Sequence, residues 1–138
     1  GSFHDNAVFT PHPGEAARLL NCSVSDVQSD PVEAAFALQR KLGGVVVLKG
    51  AGSMVCDGHK VSICNIGNPG MASAGMGDLL SGIIATFLAQ GYTLEASAKM
   101  GVWLHAKAGD LASADGERGL IATDLLPHIR RPFLPPSP

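Results

Sequence analysis

Asp30-Pro31-Val32-Glu33-Ala34-Ala35-Phe36-Ala37-Leu38-Gln39-Arg40-Lys41-Leu42-Gly43-Gly44-Val45-Val46-Val47-Leu48 reads as a helix feeding a buried strand. Asp30 is a capping carboxylate, and Pro31 suits the first helical position. Ala34, Ala37, Leu38 and Leu42 recur at helical spacing, so one face packs. Gly43-Gly44 stops the helix. The four apolar residues that follow, three of them β-branched, have the pattern of a strand covered on both faces. Such a strand needs helices above and below it, and this sets the class as α/β with a largely parallel central sheet.

The flanking sequence repeats the alternation. Residues 7–10 are a short strand ending at Thr10-Pro11, and residues 14–20 are helical. A further helical turn covers 23–28, with Ser23 or Ser25 as its cap. After the central strand, 53–57 and 60–64 form a hairpin turning at Gly58-His59. A glycine-rich loop runs from Gly67 to Gly77. Residues 78–90 form a strongly apolar helix ended by Gly91. Thr93 caps another helix to about Ala112, and Thr123 caps a last short one over 124–129. The proline-rich tail 131–138 is expected to fray. Gly1-Ser2 is set aside as an expression scar.

The composition excludes several functions. The 138 residues make about one domain's worth on a prior of ~100–200. Hydrophobic residues are 46%, which argues against disorder. Charged residues are only 16% against a usual ~25%. Apolar surface is therefore expected to meet a second copy or further chain. The net charge is −2 with scattered basic residues, so no nucleic-acid partner is expected. No apolar run nears the ~20 residues of a membrane helix, and no secretory signal opens the chain. The three cysteines lack disulfide or zinc spacing, so they are expected as small buried hydrophobes in a reducing cytoplasm.

Three segments carry candidate chemistry. In Asn68-Pro69-Gly70-Met71-Ala72-Ser73-Ala74-Gly75-Met76-Gly77-Asp78, small residues let backbone approach a ligand ahead of a helix N-terminus. The unpaired N–H groups and dipole there suit a phosphate. Asp78 is placed to hydrogen-bond or deprotonate a substrate hydroxyl. It could equally be a plain helix cap beside turn glycines, and so short a stretch does not decide. Thr10-Pro11-His12-Pro13-Gly14-Glu15 lies at a strand-to-helix junction, where open α/β sheets bind ligands. There His12 could hydrogen-bond a ligand and Glu15 could hold a hydrated metal, or they could be a loop residue and a first-turn carboxylate. Leu48-Lys49-Gly50-Ala51-Gly52-Ser53 again follows a strand and suits a nucleotide phosphate or ribose, although alone it is an ordinary strand-to-turn sequence. Elsewhere, His105 reads as a satisfied core histidine and Trp103 as packing. Gly116-Glu117-Arg118-Gly119 reads as an exposed turn from which Arg118 could reach a phosphate.

These segments, with Leu48-Lys49-Gly50-Ala51, residues 68–81 and Gly119-Leu120-Ile121-Ala122-Thr123-Asp124-Leu125-Leu126-Pro127-His128-Ile129, resemble the ADP/ATP-dependent NAD(P)H-hydrate dehydratases of the ribokinase-like superfamily. The matches come in family order from about Ala7 to Ile129, and the one over 68–81 is highly specific. The resemblance implies a ribokinase-like three-layer α/β/α sandwich. It implies dehydration of hydrated NADH or NADPH with ADP or ATP as co-substrate. It assigns Asp78 as the catalytic residue, with His12 and Asp78 contacting the hydrated dinucleotide. Lys49, Gly50, Ala51, Gly52, Ser53, Gly75 and Gly77 would line the adenine-nucleotide site, and Mg2+ would sit near the phosphates with Glu15 reaching it through water. Family members carry a substantial α/β segment before the Thr-Pro-His motif, so this chain is expected to be the C-terminal part of one domain. A complementing N-terminal segment or a second copy would be its partner. Two other readings belong to the same superfamily pattern: a nucleotide-binding or assembly module without chemistry, and a kinase of a small hydroxylated metabolite.

Overall fold

The computed structural model describes residues 5–50, 52–65, 75–113 and 122–129. Strand β1 (Val8–Phe9) leads through helices α1 (Pro13–Leu20), α2 (Val24–Ser29) and α3 (Pro31–Leu42) to strand β2 (Val45–Leu48). Strands β3 (Ser53–Cys56) and β4 (Val61–Cys64) follow, and then helices α4 (Met76–Ala89) and α5 (Leu94–Ala112). A 3-10 helix, Ala122–His128, comes last among the described residues.

Local chemistry accounts for most of these boundaries. Ser23, Asp30 and Thr93 each accept a hydrogen bond from the backbone N–H three residues on, satisfying one orphan donor of α2, α3 and α5. Pro31 opens α3, and the Gly43 N–H closes it on the Gln39 carbonyl. Between β3 and β4, Asp57 Oδ1 accepts from the N–H groups of His59 and Lys60 at 2.8 and 3.0 Å. This side-chain turn fixes the hairpin.

The strands form one sheet in the order β1-β2-β3-β4. Only β1 and β2 pair in parallel, whereas β2–β3 and β3–β4 are antiparallel. The expected largely parallel sheet is therefore corrected to a mixed one among the described strands. The cause is chain length. Four residues, 49–52, join β2 to β3, and a parallel crossover needs a dozen or more. The 35 residues between the end of β1 at Phe9 and the start of β2 at Val45 have room for one, because they contain α1, α2 and α3.

Alternation along β2 divides the core. Val46 and Leu48, with Cys56 of β3, pack under Ala16, Ala17, Val27, Ala34, Ala35 and Leu38 of α1–α3. Val45 and Val47, with Val55, pack on the other face against Leu80 and Ile84 of α4 and Ala98 and Val102 of α5. A strand's period of two thus feeds two helical layers, and the expected three-layer α/β/α arrangement is present. A third cluster joins Met76, Ala108 and Leu125, clamping the start of α4 to the end of α5 and the 3-10 helix.

Helices α4 and α5 touch closely at Gly101. A Cβ there would lie 2.5 Å from Ile84 Cγ1 and 3.4 Å from the Ile84 backbone. Overpacking typically costs ~1–3 kcal/mol, against up to about 1 kcal/mol that alanine gains over glycine in a helix. Gly101→Ala is therefore expected to lower stability by about 1 kcal/mol net, seen as a lower urea midpoint at unchanged slope.

Other expectations need correction. Thr123 lies inside the 3-10 helix rather than capping a helix over 124–129. Trp103 is 43% exposed, because the buried face of α5 carries Ala98, Val102 and Ala106 and turns residue 103 outward. Cys56 is buried but Cys22 is exposed and Cys64 half-buried, so only one cysteine is a core hydrophobe. No described helix is long and apolar enough to cross a membrane. The segment 66–74, the turn 116–119 with Arg118, and the tail lie outside the described residues.

Candidate functional site

The parallel pair β1–β2 brings two chain segments to one edge of the sheet. The Lys49 N–H donates to the Pro11 carbonyl at 3.0 Å, continuing the ladder past the end of both strands. The loop after β1 and the start of the β2–β3 connection are thereby tied side by side. Ligands of α/β sheets sit at this carboxyl edge.

His12 and Glu15 form a capping box at the start of α1. The Glu15 N–H donates to His12 Nδ1 at 3.2 Å, and the His12 N–H donates to Glu15 Oε1 at 3.1 Å. An accepting Nδ1 leaves the ring proton on Nε2, which lies 3.2 Å from the same Oε1. The hydrogen bond from the His12 N–H, helped by the Lys49 charge, holds the Glu15 carboxyl below its ordinary range. Both His12 contacts use Oε1.

The third segment is the start of α4. Its N-cap is Gly75, at φ 84° and ψ −11°, a left-handed geometry that favours glycine. Among the described residues no side chain caps this helix. Its first N–H groups thus have no side-chain acceptor among the described residues, and the Leu79 N–H makes the first turn's bond to the Gly75 carbonyl at 3.0 Å. Asp78 is the third residue of α4 and exposed. It is not the N-cap but a first-turn carboxylate, which the helix dipole favours. Lys49 closes the arrangement: a Cβ on Gly77 would lie 2.6 Å from Lys49 Nζ, so the ammonium rests against the first turn of α4.

The structure thus gathers His12, Glu15, Lys49, Gly75 and Gly77 at one edge, with Asp78 on the adjoining turn. It places Gly50 exposed, with open space around it, and turns Gly52 toward the Cys64 carbonyl. Ser53 begins β3 opposite Cys64. Ala51 lies outside the described residues.

Sequence reasoning missed the setting of His105. It is buried as expected, but only half satisfied. Its ring donates to the Met76 carbonyl at the start of α4, while Nε2 has no partner among the described residues. Burial, with the Lys49 charge nearby, pushes its pKa down to about 4. The pH consequence follows. An unfolded histidine protonates near pH ~6.5, whereas folded His105 resists until about 4. The unfolded state therefore binds more protons in that window, and stability falls as pH drops through it. His105→Gln is expected to remove on the order of 2 kcal/mol of the stability lost between pH 7 and pH 5, measured as urea midpoints at both.

Comparison with known proteins fits this geometry. Residues 2–131 match the family profile described as NAD(P)H-hydrate dehydratase. The chain belongs to the NAD(P)H-hydrate dehydratase family. It is 55% identical over 130 residues to the bifunctional NAD(P)H-hydrate repair enzyme of Vibrio cholerae, covering 94% of this chain and 26% of that one. Against the Escherichia coli enzyme of the same description the identity is 49% over 128 residues, covering 91% and 25%. Among solved structures, the ADP/ATP-dependent NAD(P)H-hydrate dehydratase of Bacillus subtilis, co-crystallised with ATP/Mg2+, superposes with a TM-score of 0.83 at 28% identity. That match covers 92% of this chain and 48% of that one. A ribokinase-like superfamily protein of Enterococcus faecalis matches with a TM-score of 0.76 at 32% identity, covering 95% and 47%. This dehydratase-family chain thus has a ribokinase-like fold, and it spans about a quarter of the curated relatives and half of the solved ones.

Proposed function

We propose that this chain supplies the nucleotide-binding and acid–base part of an NAD(P)H-hydrate dehydratase, which eliminates water from hydrated NADH or NADPH with ADP or ATP as co-substrate. The observation that carries the reading is the Lys49 ammonium resting on an N-terminal helical turn that no side chain caps among the described residues. An anionic phosphate fits between a cation and free N–H groups. Lys49, Gly75 and Gly77 would hold it, with Gly50, Ala51, Gly52 and Ser53 forming the rest of the nucleotide wall.

Mg2+ is compatible with the same edge. Among the described residues no group of three or more His, Cys, Asp or Glu side chains could hold a metal. Mg2+ usually keeps several waters and takes one or two carboxylates plus substrate phosphates. Glu15 is ionised and can serve through water. Bound there, the ion would neutralise phosphate charge.

Asp78 and His12 would face the hydrate. The Asp78 carboxylate would orient the hydroxyl-bearing ring and exchange a proton with the departing oxygen, while His12 Nε2–H offers a donor. The remaining substrate wall would come from further chain or a second copy, a reading supported by the half coverage of the Bacillus subtilis enzyme. An absorbance assay for recovered reduced cofactor, with ADP or ATP and Mg2+ present, tests the activity. Restored NAD(P)H is expected. Calorimetric ADP binding without turnover would make the chain a binding module, and a phosphorylated metabolite in its place would make it a kinase.

A further inference from the structure

We propose that Thr10 and Ser81 form a positioning latch that sets where His12 stands relative to Asp78; this rests on the dehydratase reading above. Thr10 Oγ1 and Ser81 Oγ lie 3.2 Å apart, although 71 positions separate them in the chain. Thr10 directly follows β1, two residues before His12. Ser81 stands one turn after Asp78 on α4, and i,i+3 residues share a helix face. The bond therefore joins the segment carrying one substrate-facing residue directly to the helix carrying the other.

Val8 of β1 packs against the cluster that holds Leu80 and Ile84 of α4, and the start of α4 is clamped by Met76 to Ala108 and Leu125. Lys49 secures the β1 loop to β2 through the Pro11 carbonyl. The Thr10–Ser81 contact instead spans from that loop to α4. It is exposed, so water competes for both hydroxyls and little global stability rests on it. Its consequence is geometric. Proximity catalysis depends steeply on placement, and a misplacement of about 1 Å can cost on the order of a hundredfold in rate.

The test uses Thr10→Val, Ser81→Ala and the double variant in a form of the protein that turns over the hydrate. Each is expected to lower kcat on the order of tenfold, with ADP affinity and melting temperature unchanged. The double variant should lose no more than either single one, because one bond is broken once. Thr10→Ser, which keeps the hydroxyl, should restore turnover. A second readout needs no substrate: the His12 ring nitrogen shifts in the NMR spectrum of the ligand-free protein. Ser81→Ala should move them in the same direction as Thr10→Val. Additive losses in the double variant, or His12 shifts untouched by Ser81→Ala, would overturn the latch. Absence of turnover in the unsubstituted full-length protein would instead overturn the dehydratase reading, and the latch would then be decided by the His12 shifts alone.

Discussion

Asp78→Asn is expected to cut hydrate turnover by ~10²–10⁴-fold, the usual worth of a positioned acid or base. The substitution keeps the shape of the side chain and removes its charge and proton affinity. Asp78 is the third residue of α4 rather than its cap, and that helix begins at a glycine with no side-chain hydrogen bond. No capping bond is lost, so the helix should survive. The remaining structural effect is a first-turn carboxylate's attraction to the helix dipole, typically ~0.3–1 kcal/mol. A loss of several kcal/mol in the barrier beside so small a stability change would place Asp78 in the chemistry. ADP binding should persist, since backbone N–H groups and Lys49 carry it. The measurement is single-turnover kinetics with calorimetric ADP titration on the same preparation. Normal turnover by Asp78→Asn would remove it from the mechanism.

The fold was largely legible because its signals are local. Ser23, Asp30 and Thr93 announce helix starts through side chains that reach their own backbone, and each does so in the structure. Val45–Leu48 has no polar residue, and all four positions are buried. The direction of the sheet was not local in this sense. It follows from the length of the connections: four residues cannot carry a parallel crossover, so β3 returns antiparallel to β2. Trp103 illustrates another limit. It reads as packing, but the helix's rotation per residue places it outside the buried face of α5, 43% exposed.

The candidate site was legible as segments and not as an arrangement. Residues 10–15 and 48–53 sit where strand ends were expected, and the parallel β1–β2 pair explains why they meet. The contact between Lys49 and Gly77 comes from the packing of α4 on β2, and the hydrogen bond of His105 to Met76 from the packing of α4 on α5; both join residues far apart in sequence. Nothing in the pattern around His105 relates it to position 76. The half-satisfied ring emerges only when the start of α4 is set over α5 by the cluster of Met76, Ala108 and Leu125. The Thr10–Ser81 bond is invisible in sequence for the same reason: both are ordinary hydroxyl residues until the layers bring them together.

Lys49→Ala should do the reverse of Asp78→Asn, weakening ADP by about ten- to a hundredfold, since a hydrogen bond to a charged group is worth ~1.5–3 kcal/mol. Turnover at saturating nucleotide should change less, because the carboxylate and His12 stay in place. Gly77→Ala provides a second route to the same conclusion. Its Cβ would fall 2.6 Å from Lys49 Nζ, and the clash is with the far end of a flexible side chain. The ammonium must swing away, yet the helix gains from alanine, which is favoured over glycine by up to about 1 kcal/mol. Stability should therefore hold or rise while ADP affinity falls. A surface lysine with no ligand role would show neither effect, and a lysine needed only for folding would show the opposite pairing. Calorimetric ADP titration and urea midpoints on both variants decide it: undiminished ADP binding in Lys49→Ala would remove the cation from the nucleotide site, and with it the observation on which the phosphate cradle rests.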